Sequence, residues 1–170
     1  MLPKSYIIAK WTVYSLATLA LFALQHLILG HITVLGVTPF LYPLIPALVA
    51  SYEGLRRGSV FALAVGAVCD MLLVGPFEGF YAIVFTVIGI FAALISENML
   101  SPGWLCGFVV SLMALGINGA AHFVLYFLVG ERHLLLMARI VLIECAITLP
   151  AIFPALPLYR SVHSRCAVDY

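Results

Sequence analysis

The sequence predicts an all-α polytopic membrane protein, with six transmembrane helices in a single domain covering residues 1–170. Two observations predict this class. Only 9% of the residues are charged, 65% are hydrophobic, and the mean hydropathy is +1.19, whereas soluble domains carry about 25% charged residues. The apolar residues also form runs separated by short polar or glycine-proline breaks, and most runs approach the length of about 20 residues that spans a bilayer.

Six apolar runs define the predicted helices. They cover residues 11–30, 39–52, 58–74, 77–96, 104–129 and 134–158. The first run ends without a small-x-small cleavage site, so we interpret it as a retained helix and not as a signal peptide. The second is short and contains two prolines, of which Pro46 is expected to kink or distort it; a re-entrant segment is the alternative. Pro150 and Pro154 are expected to bend the last helix.

The distribution of positive charge predicts the orientation. With six helices and a cytoplasmic N-terminus, the cytoplasmic segments hold Lys4, Lys10, Arg56, Arg57, Arg160 and Arg165. Only Arg132 falls in an outside loop, while Arg139 lies within the last helix. Because the Lys/Arg bias sets orientation, both termini are predicted to be cytoplasmic. Arg56 and Arg57 are therefore interpreted as topology determinants, which could also contact lipid phosphates or a cytosolic partner.

Gly58, Ala62, Gly66 and Asp70 recur at every fourth position of the third predicted helix. Residues four apart share one helix face, and small residues on one face let a neighbouring helix come close in a membrane. A carboxylate in the same span costs about 2.5–3.5 kcal/mol at the helix centre on insertion scales, so it needs a partner or water. We interpret Asp70 as a buried polar contact between helices; hydration at the membrane surface and substrate or ion handling are the alternatives.

A second set of polar residues lies in the last two predicted helices. Asn118 and His122 are four apart and share a face beside two glycines, which is typical of packing between helices. Arg139 and Glu144 are five apart, about 140° around a helix, so they face different directions. We expect Arg139 to extend towards the membrane surface. Glu144 is expected to meet a partner on another helix or on a bound protein.

The sequence contains no motif that points to catalysis. It has no G-x-S-x-G, no Walker A and no clustered carboxylate pair, and its five histidines lack metal-ligand spacing. The four cysteines, Cys69, Cys106, Cys145 and Cys166, show no paired spacing, so we expect no disulfide and no cysteine-based metal site. No basic patch suggests nucleic-acid binding. We therefore expect that the protein is not an enzyme and binds no cofactor or metal.

Between residues 41 and 95 the chain resembles the MreD family of rod shape-determining proteins. The resemblance is carried by Gly54-Leu55-Arg56-Arg57-Gly58, then Gly66, Asp70, Gly75, Gly79 and a further apolar helix. Members of this family often have Asp or Asn beside the proline that opens the second helix, whereas Phe40 follows Pro39 here. The resemblance makes Gly58, Gly66, Asp70, Gly75 and Gly79 motif positions.

The resemblance implies a non-enzymatic scaffold of lateral wall elongation in the bacterial cytoplasmic (inner) membrane. Its implied partner is MreC, and through MreC the RodA glycosyltransferase, the penicillin-binding partner of RodA and the MreB filament. The fold it implies is similar to the substrate-binding subunits of energy-coupling-factor transporters.

Such a transporter subunit is the competing hypothesis, because these proteins also have six helices and about this length. A subunit of this kind would need an outward-facing pocket with polar and aromatic groups around a small ligand. It would also usually show an Ala-x-x-x-Ala face on its first helix. Here Ala17, Ala20 and Ala23 are three apart, and the loop 31–38 offers little that could close over a vitamin. The sequence therefore favours the scaffold.

Overall fold

The computed structural model describes residues 4–129 and 134–165. The helices in this part of the chain are α1 (Lys4–Leu27), α2 (Leu44–Leu72), α3 (Phe80–Asn98), α4 (Trp104–Val129), α5 (Leu134–Thr148) and α6 (Ile152–Arg165). Short 3₁₀ turns cover Leu29–His31 and Leu149–Ala151. The described residues contain no β-strand, only an isolated bridge between Val34 and Val37. The all-helical class is confirmed.

Four stretches of the described residues are long and apolar enough to cross a membrane. They are Ile8–His31, Phe80–Asn98, Trp104–Leu128 and Ala138–Ser161. These helices indicate a membrane protein. Helix α2 is not among them, because it is broken at Gly54 and carries Glu53, Arg56 and Arg57 near the break.

Helix α2 consists of two arms, residues 44–53 and 55–72, joined at Gly54. The backbone there has φ 75° and ψ 178°, a conformation that is essentially restricted to glycine. A Cβ atom built on Gly58 would lie 2.5 Å from the Cα atom of Ala50, whereas eight residues of straight helix would separate the two by about 12 Å. The arms therefore fold back on each other. They correspond to the second and third predicted helices.

The first arm of α2 lies at the centre of the bundle. Every residue from 41 to 51 is buried, so this short helix packs against protein on all sides and does not need the length of a lipid-exposed span. Pro46 lies in its first turn, where the backbone N–H has no intrahelical partner in any case. The expected distortion at Pro46 is therefore wrong, and the break comes at Gly54 instead.

Several helix ends differ from the predicted ones. Helix α1 covers Lys4–Leu27, so it includes polar sequence before the apolar run and ends three residues earlier than predicted, before the 3₁₀ turn at Leu29–His31. The second arm of α2 resumes directly after Gly54, so the polar break is shorter than predicted. Helix α3 begins after Gly79, whose φ of 84° is left-handed. The last predicted helix is interrupted by the 3₁₀ turn at Pro150 and continues to Arg165.

Buried side chains from two helices hold the loop that leads into the first arm. Gln25 of α1 donates from Nε2 to the carbonyl of Pro39 at 2.7 Å, and its Oε1 accepts from the N–H of Leu41 at 3.0 Å. The Oγ1 atom of Thr148 accepts from the N–H of Phe40 at 3.1 Å. These bonds satisfy backbone groups that burial would otherwise leave unpaired, and they fix one wall of the cavity described below.

Candidate functional site

The small residues of the predicted stripe lie where the second arm of α2 contacts α3 and the first arm. Ala62 and Gly66 are buried, and a Cβ atom on Gly66 would lie 2.6 Å from the Cα atom of Ala82 and 2.6 Å from the carbonyl oxygen of Tyr81. Ala62 faces Gly89 of α3, where a Cβ atom would come within 2.6 Å of the Ala62 methyl. Only residues as small as glycine and alanine allow two helix backbones to approach this closely.

Asp70, at the end of this stripe, binds the N-terminus of α3. Its two carboxylate oxygens accept hydrogen bonds from the N–H groups of Tyr81 and Ala82, both at 2.9 Å. N–H groups in the first turn of a helix have no intrahelical partner, and a negative charge is favourable there. Asp70 therefore caps a neighbouring helix, which explains how a carboxylate is accommodated in an apolar sequence.

Two motif glycines shape the turn that brings α3 back to Asp70. Gly79 is the residue before the helix and has the left-handed φ of 84°. Gly75 lies close to the ring of Tyr81, since a Cβ atom built on it would be 3.4 Å from that ring. The turn and the cap thus belong to one α2–α3 unit.

A polar cluster lies at the opposite end of this unit. The Glu53 side chain is only 2% exposed; its Oε1 forms an ion pair with Lys10 Nζ at 2.7 Å and accepts from the Tyr14 hydroxyl at 2.8 Å. Glu97 accepts from the N–H of Leu55 at 2.8 Å and so caps the second arm of α2. Neither these contacts nor the bonds of Gln25 were predicted from the sequence. Their only signal was a polar side chain inside or beside an apolar run.

Arg56 and Arg57 lie at the same end as Lys10. Both are exposed and line an open cavity of about 850 Å³ together with Trp11 and Glu97. Three of the positive charges predicted to be cytoplasmic, those of Lys10, Arg56 and Arg57, thus lie at the same end of the bundle. Arg132 and Cys166 lie outside the described residues.

A second cavity, of about 490 Å³, brings together three of the four polar residues predicted in the last two helices. Asn118, His122 and Glu144 line it with Tyr81 and Phe40, and the loop residues 35–38 also contribute. Arg139 is exposed and is not among its lining residues. This cavity, hereafter the Glu144 cavity, lies at the end of the bundle where Asp70 caps α3.

The polar groups of the Glu144 cavity are incompletely paired. Asn118 is 2% exposed, and its Oδ1 atom has no hydrogen-bond partner among the described residues. His122 donates from Nδ1 to the carbonyl of Asn118 at 3.0 Å and packs edge-on against Phe80, with centroids 4.9 Å apart. Glu144 is partly buried and makes no hydrogen bond or ion pair with the described residues.

A third cavity is an apolar groove of about 570 Å³ between α1 and the second arm of α2. Its lining includes Ala23 from α1 and Ala64 from α2, with Phe22 and Val65. Along α2 it runs from Phe61 to Leu72, about 17 Å at 1.5 Å per residue. Phe61 and Ala64 also line the cavity beside the two arginines, so the groove leads to the positively charged end. We call it the α1–α2 groove.

Within residues 4–129 and 134–165, no three His, Cys, Asp or Glu side chains are close enough together to hold a metal ion. Cys69, Cys106 and Cys145 are free thiols. No protein-family model, curated protein or solved structure matches the chain. Functional inference therefore depends on the chain's own residues and on the resemblance of residues 41–95.

Proposed function

We propose that this protein is a non-enzymatic scaffold of the bacterial wall-elongation machinery, similar to MreD, which binds MreC in the cytoplasmic membrane. MreC would link it to RodA, the penicillin-binding partner of RodA and MreB. The observation that carries the proposal is the α1–α2 groove, an apolar surface that a transmembrane helix of MreC would occupy. The second arm of α2 builds one wall of this groove, and the motif residues Gly58 and Gly66 on the same arm pack against the first arm and α3.

The shape and the charge of the α1–α2 groove support a helix as its occupant. Ala23 and Ala64 stand on its two walls, and small residues let a partner helix approach closely. The groove leads to Arg56 and Arg57, which are exposed at its end. A partner helix with acidic residues just outside its apolar span would therefore be complementary in charge at that end.

In this proposal the two arms of α2 are separate crossings, so the chain passes through the membrane six times with both termini in the cytoplasm. The position of Lys10, Arg56 and Arg57 at one end of the bundle supports this orientation, because positive charge is enriched on the cytoplasmic side. The proposal includes the fold that the resemblance implies, similar to the substrate-binding subunits named above.

Filling the groove tests the proposal. Ala64 and Ala120 are both exposed helix alanines, but only Ala64 lines the groove. Tagged wild type, Ala64→Trp and Ala120→Trp would each be co-expressed with MreC and purified in mild detergent. We expect Ala64→Trp to recover at least fivefold less MreC than wild type and Ala120→Trp to recover as much. Equal recovery by both variants, each monodisperse on gel filtration, would rule out the groove as the binding surface.

The Glu144 cavity is the one observation that favours the alternative, a substrate-binding subunit of an energy-coupling-factor vitamin transporter. Its volume lies within the range of small-molecule sites, and it combines aromatic walls with a few polar groups. A transporter subunit would co-purify with a transmembrane coupling subunit and two ATPases, not with MreC. Purification from native membranes therefore distinguishes the two functions.

A further inference from the structure

We propose that the Glu144 cavity binds an organic ammonium ion, supplied either by a free amine or by the headgroup of phosphatidylethanolamine. This site is distinct from the α1–α2 groove and is independent of the scaffold function.

Two polar side chains of the cavity, Glu144 and His122, can accept hydrogen bonds from a ligand, while the hydroxyls of Thr38 and Tyr81 can donate or accept. When ionised, the carboxylate of Glu144 is an acceptor and not a donor. The Oδ1 atom of Asn118 is buried and has no partner among the described residues, so it would reach a ligand only if the side chain turned towards the cavity. His122 uses Nδ1–H as a donor to a backbone carbonyl, so the Nε2 atom of its neutral ring is also an acceptor. A ligand that satisfies both Glu144 and His122 must supply N–H or O–H donors, and an ammonium group supplies up to three.

Charge favours a cation over a neutral donor. Glu144 lies inside the apolar stretch Ala138–Ser161, where a carboxylate is unfavourable unless it has a partner. None of the described lining residues is Lys or Arg, so they provide no internal counter-ion and no anion site. An ammonium ion in the cavity would compensate the charge of Glu144.

The walls favour an organic cation over a metal ion. Phe40 and Tyr81 line the cavity, and aromatic faces attract organic cations. The described residues offer no cluster of three His, Cys, Asp or Glu ligands for a metal. The cavity volume of about 490 Å³ is also far larger than a single metal ion requires and lies within the range of small-molecule sites.

Binding of 2-phenylethylamine, with 2-phenylethanol as its neutral counterpart, tests the proposal. Both would be titrated calorimetrically into the full chain in nanodiscs of phosphatidylglycerol, a lipid without an ammonium group. Native mass spectrometry of protein from mixed nanodiscs would show whether phosphatidylethanolamine is retained in preference to phosphatidylglycerol.

Saturable amine binding, at least tenfold tighter than that of the alcohol, indicates a free amine. Preferential phosphatidylethanolamine retention that blocks the amine indicates the headgroup. Either result supports an ammonium site and identifies the source of the ammonium group. If the protein neither binds the amine nor prefers phosphatidylethanolamine, the proposal is overturned.

Two variants place the binding in this cavity. Glu144→Gln keeps the shape and removes the charge, so it should weaken amine binding, or lower the retention of phosphatidylethanolamine, at least tenfold. The matched control Glu78→Gln, at an exposed residue before α3, should change neither. Wild-type binding by Glu144→Gln would overturn the proposal.

Asn118→Leu separates a ligand site from a packing residue. If Asn118 turns its buried, unpaired Oδ1 atom towards the ligand, replacing the amide by leucine should raise the melting temperature of the ligand-free protein and weaken amine binding at least fivefold. A lower melting temperature with unchanged binding would show that Asn118 serves packing alone and would contradict its part in the site.

Discussion

Gly66→Ala adds one methyl group at the closest approach between the second arm of α2 and α3. The new Cβ atom would lie 2.6 Å from two backbone atoms, whereas distances below 3.4 Å are already tighter than most Cβ contacts. The two helices must therefore separate by about 0.8 Å there, because backbone atoms cannot rotate away as a side chain could. This shift also stretches the two hydrogen bonds by which Asp70 caps α3.

The expected change in stability follows from opposing terms. Alanine is favoured over glycine inside a helix by about 1 kcal/mol, while overpacking costs about 1–3 kcal/mol and weakening two bonds to a charged group removes part of about 1.5–3 kcal/mol each. We therefore expect Gly66→Ala to lower the free energy of unfolding by about 2 kcal/mol.

Gly116→Ala is the matched control. Gly116 lies inside α4, is exposed, and has no atom within 4 Å of its would-be Cβ, so only the helix preference of about 0.5–1 kcal/mol remains and the change should stabilise. Both variants would be unfolded with sodium dodecyl sulfate in mild detergent and followed by far-ultraviolet circular dichroism. The two substitutions should have opposite signs. If Gly66→Ala were as stabilising as Gly116→Ala, the close approach at Gly66 would be refuted.

The same unfolding assay tests four further contacts. Asp70→Leu removes both acceptors from the first turn of α3 and should cost about 3 kcal/mol, with Asp70→Asn costing about half; equal stability of the two variants would contradict capping. Gln25→Leu should cost about 2–4 kcal/mol because it leaves two buried backbone groups unpaired, and a wild-type melting curve would show that this loop is held elsewhere. Gly54→Ala should cost about 2 kcal/mol, since alanine is strained at its backbone angles; a loss no larger than that of an ordinary surface alanine would argue against the sharp turn. A double-mutant cycle of Lys10→Met and Glu53→Gln should show a coupling above about 1 kcal/mol, the upper range for exposed pairs, and a smaller value would mean that the pair is solvated.

The sequence predicted the helices themselves and the contacts between helices that follow each other in the chain. The lengths of the apolar runs predicted the helical class, and the polar break before Gly58 predicted that two helices meet there. The four-residue spacing from Gly58 to Asp70 predicted one face of small residues. That face lies against α3 and the first arm of α2, because the following helix is joined by a short turn and has little choice of neighbour.

Contacts between distant segments could not be predicted in the same way. The partner of Asp70 is backbone, which has no signature in the sequence, and the bonds of Gln25 reach a loop beyond the end of its own helix. The Glu144 cavity needs residues from a loop and from α3, α4 and α5, so it exists only once these elements have packed. Pro46 was misjudged because its effect depends on its position within the helix, and the start of that helix was placed too early.

In the proposed function the chain works by binding other membrane proteins of the elongation machinery. The most direct test is to purify the tagged chain from its native membranes in mild detergent and to quantify the co-purifying proteins by mass spectrometry. We expect MreC in near-stoichiometric amount, accompanied by RodA or its penicillin-binding partner. Recovery of a transmembrane coupling subunit with two ATPases, and no MreC, would contradict the scaffold and establish the transporter alternative.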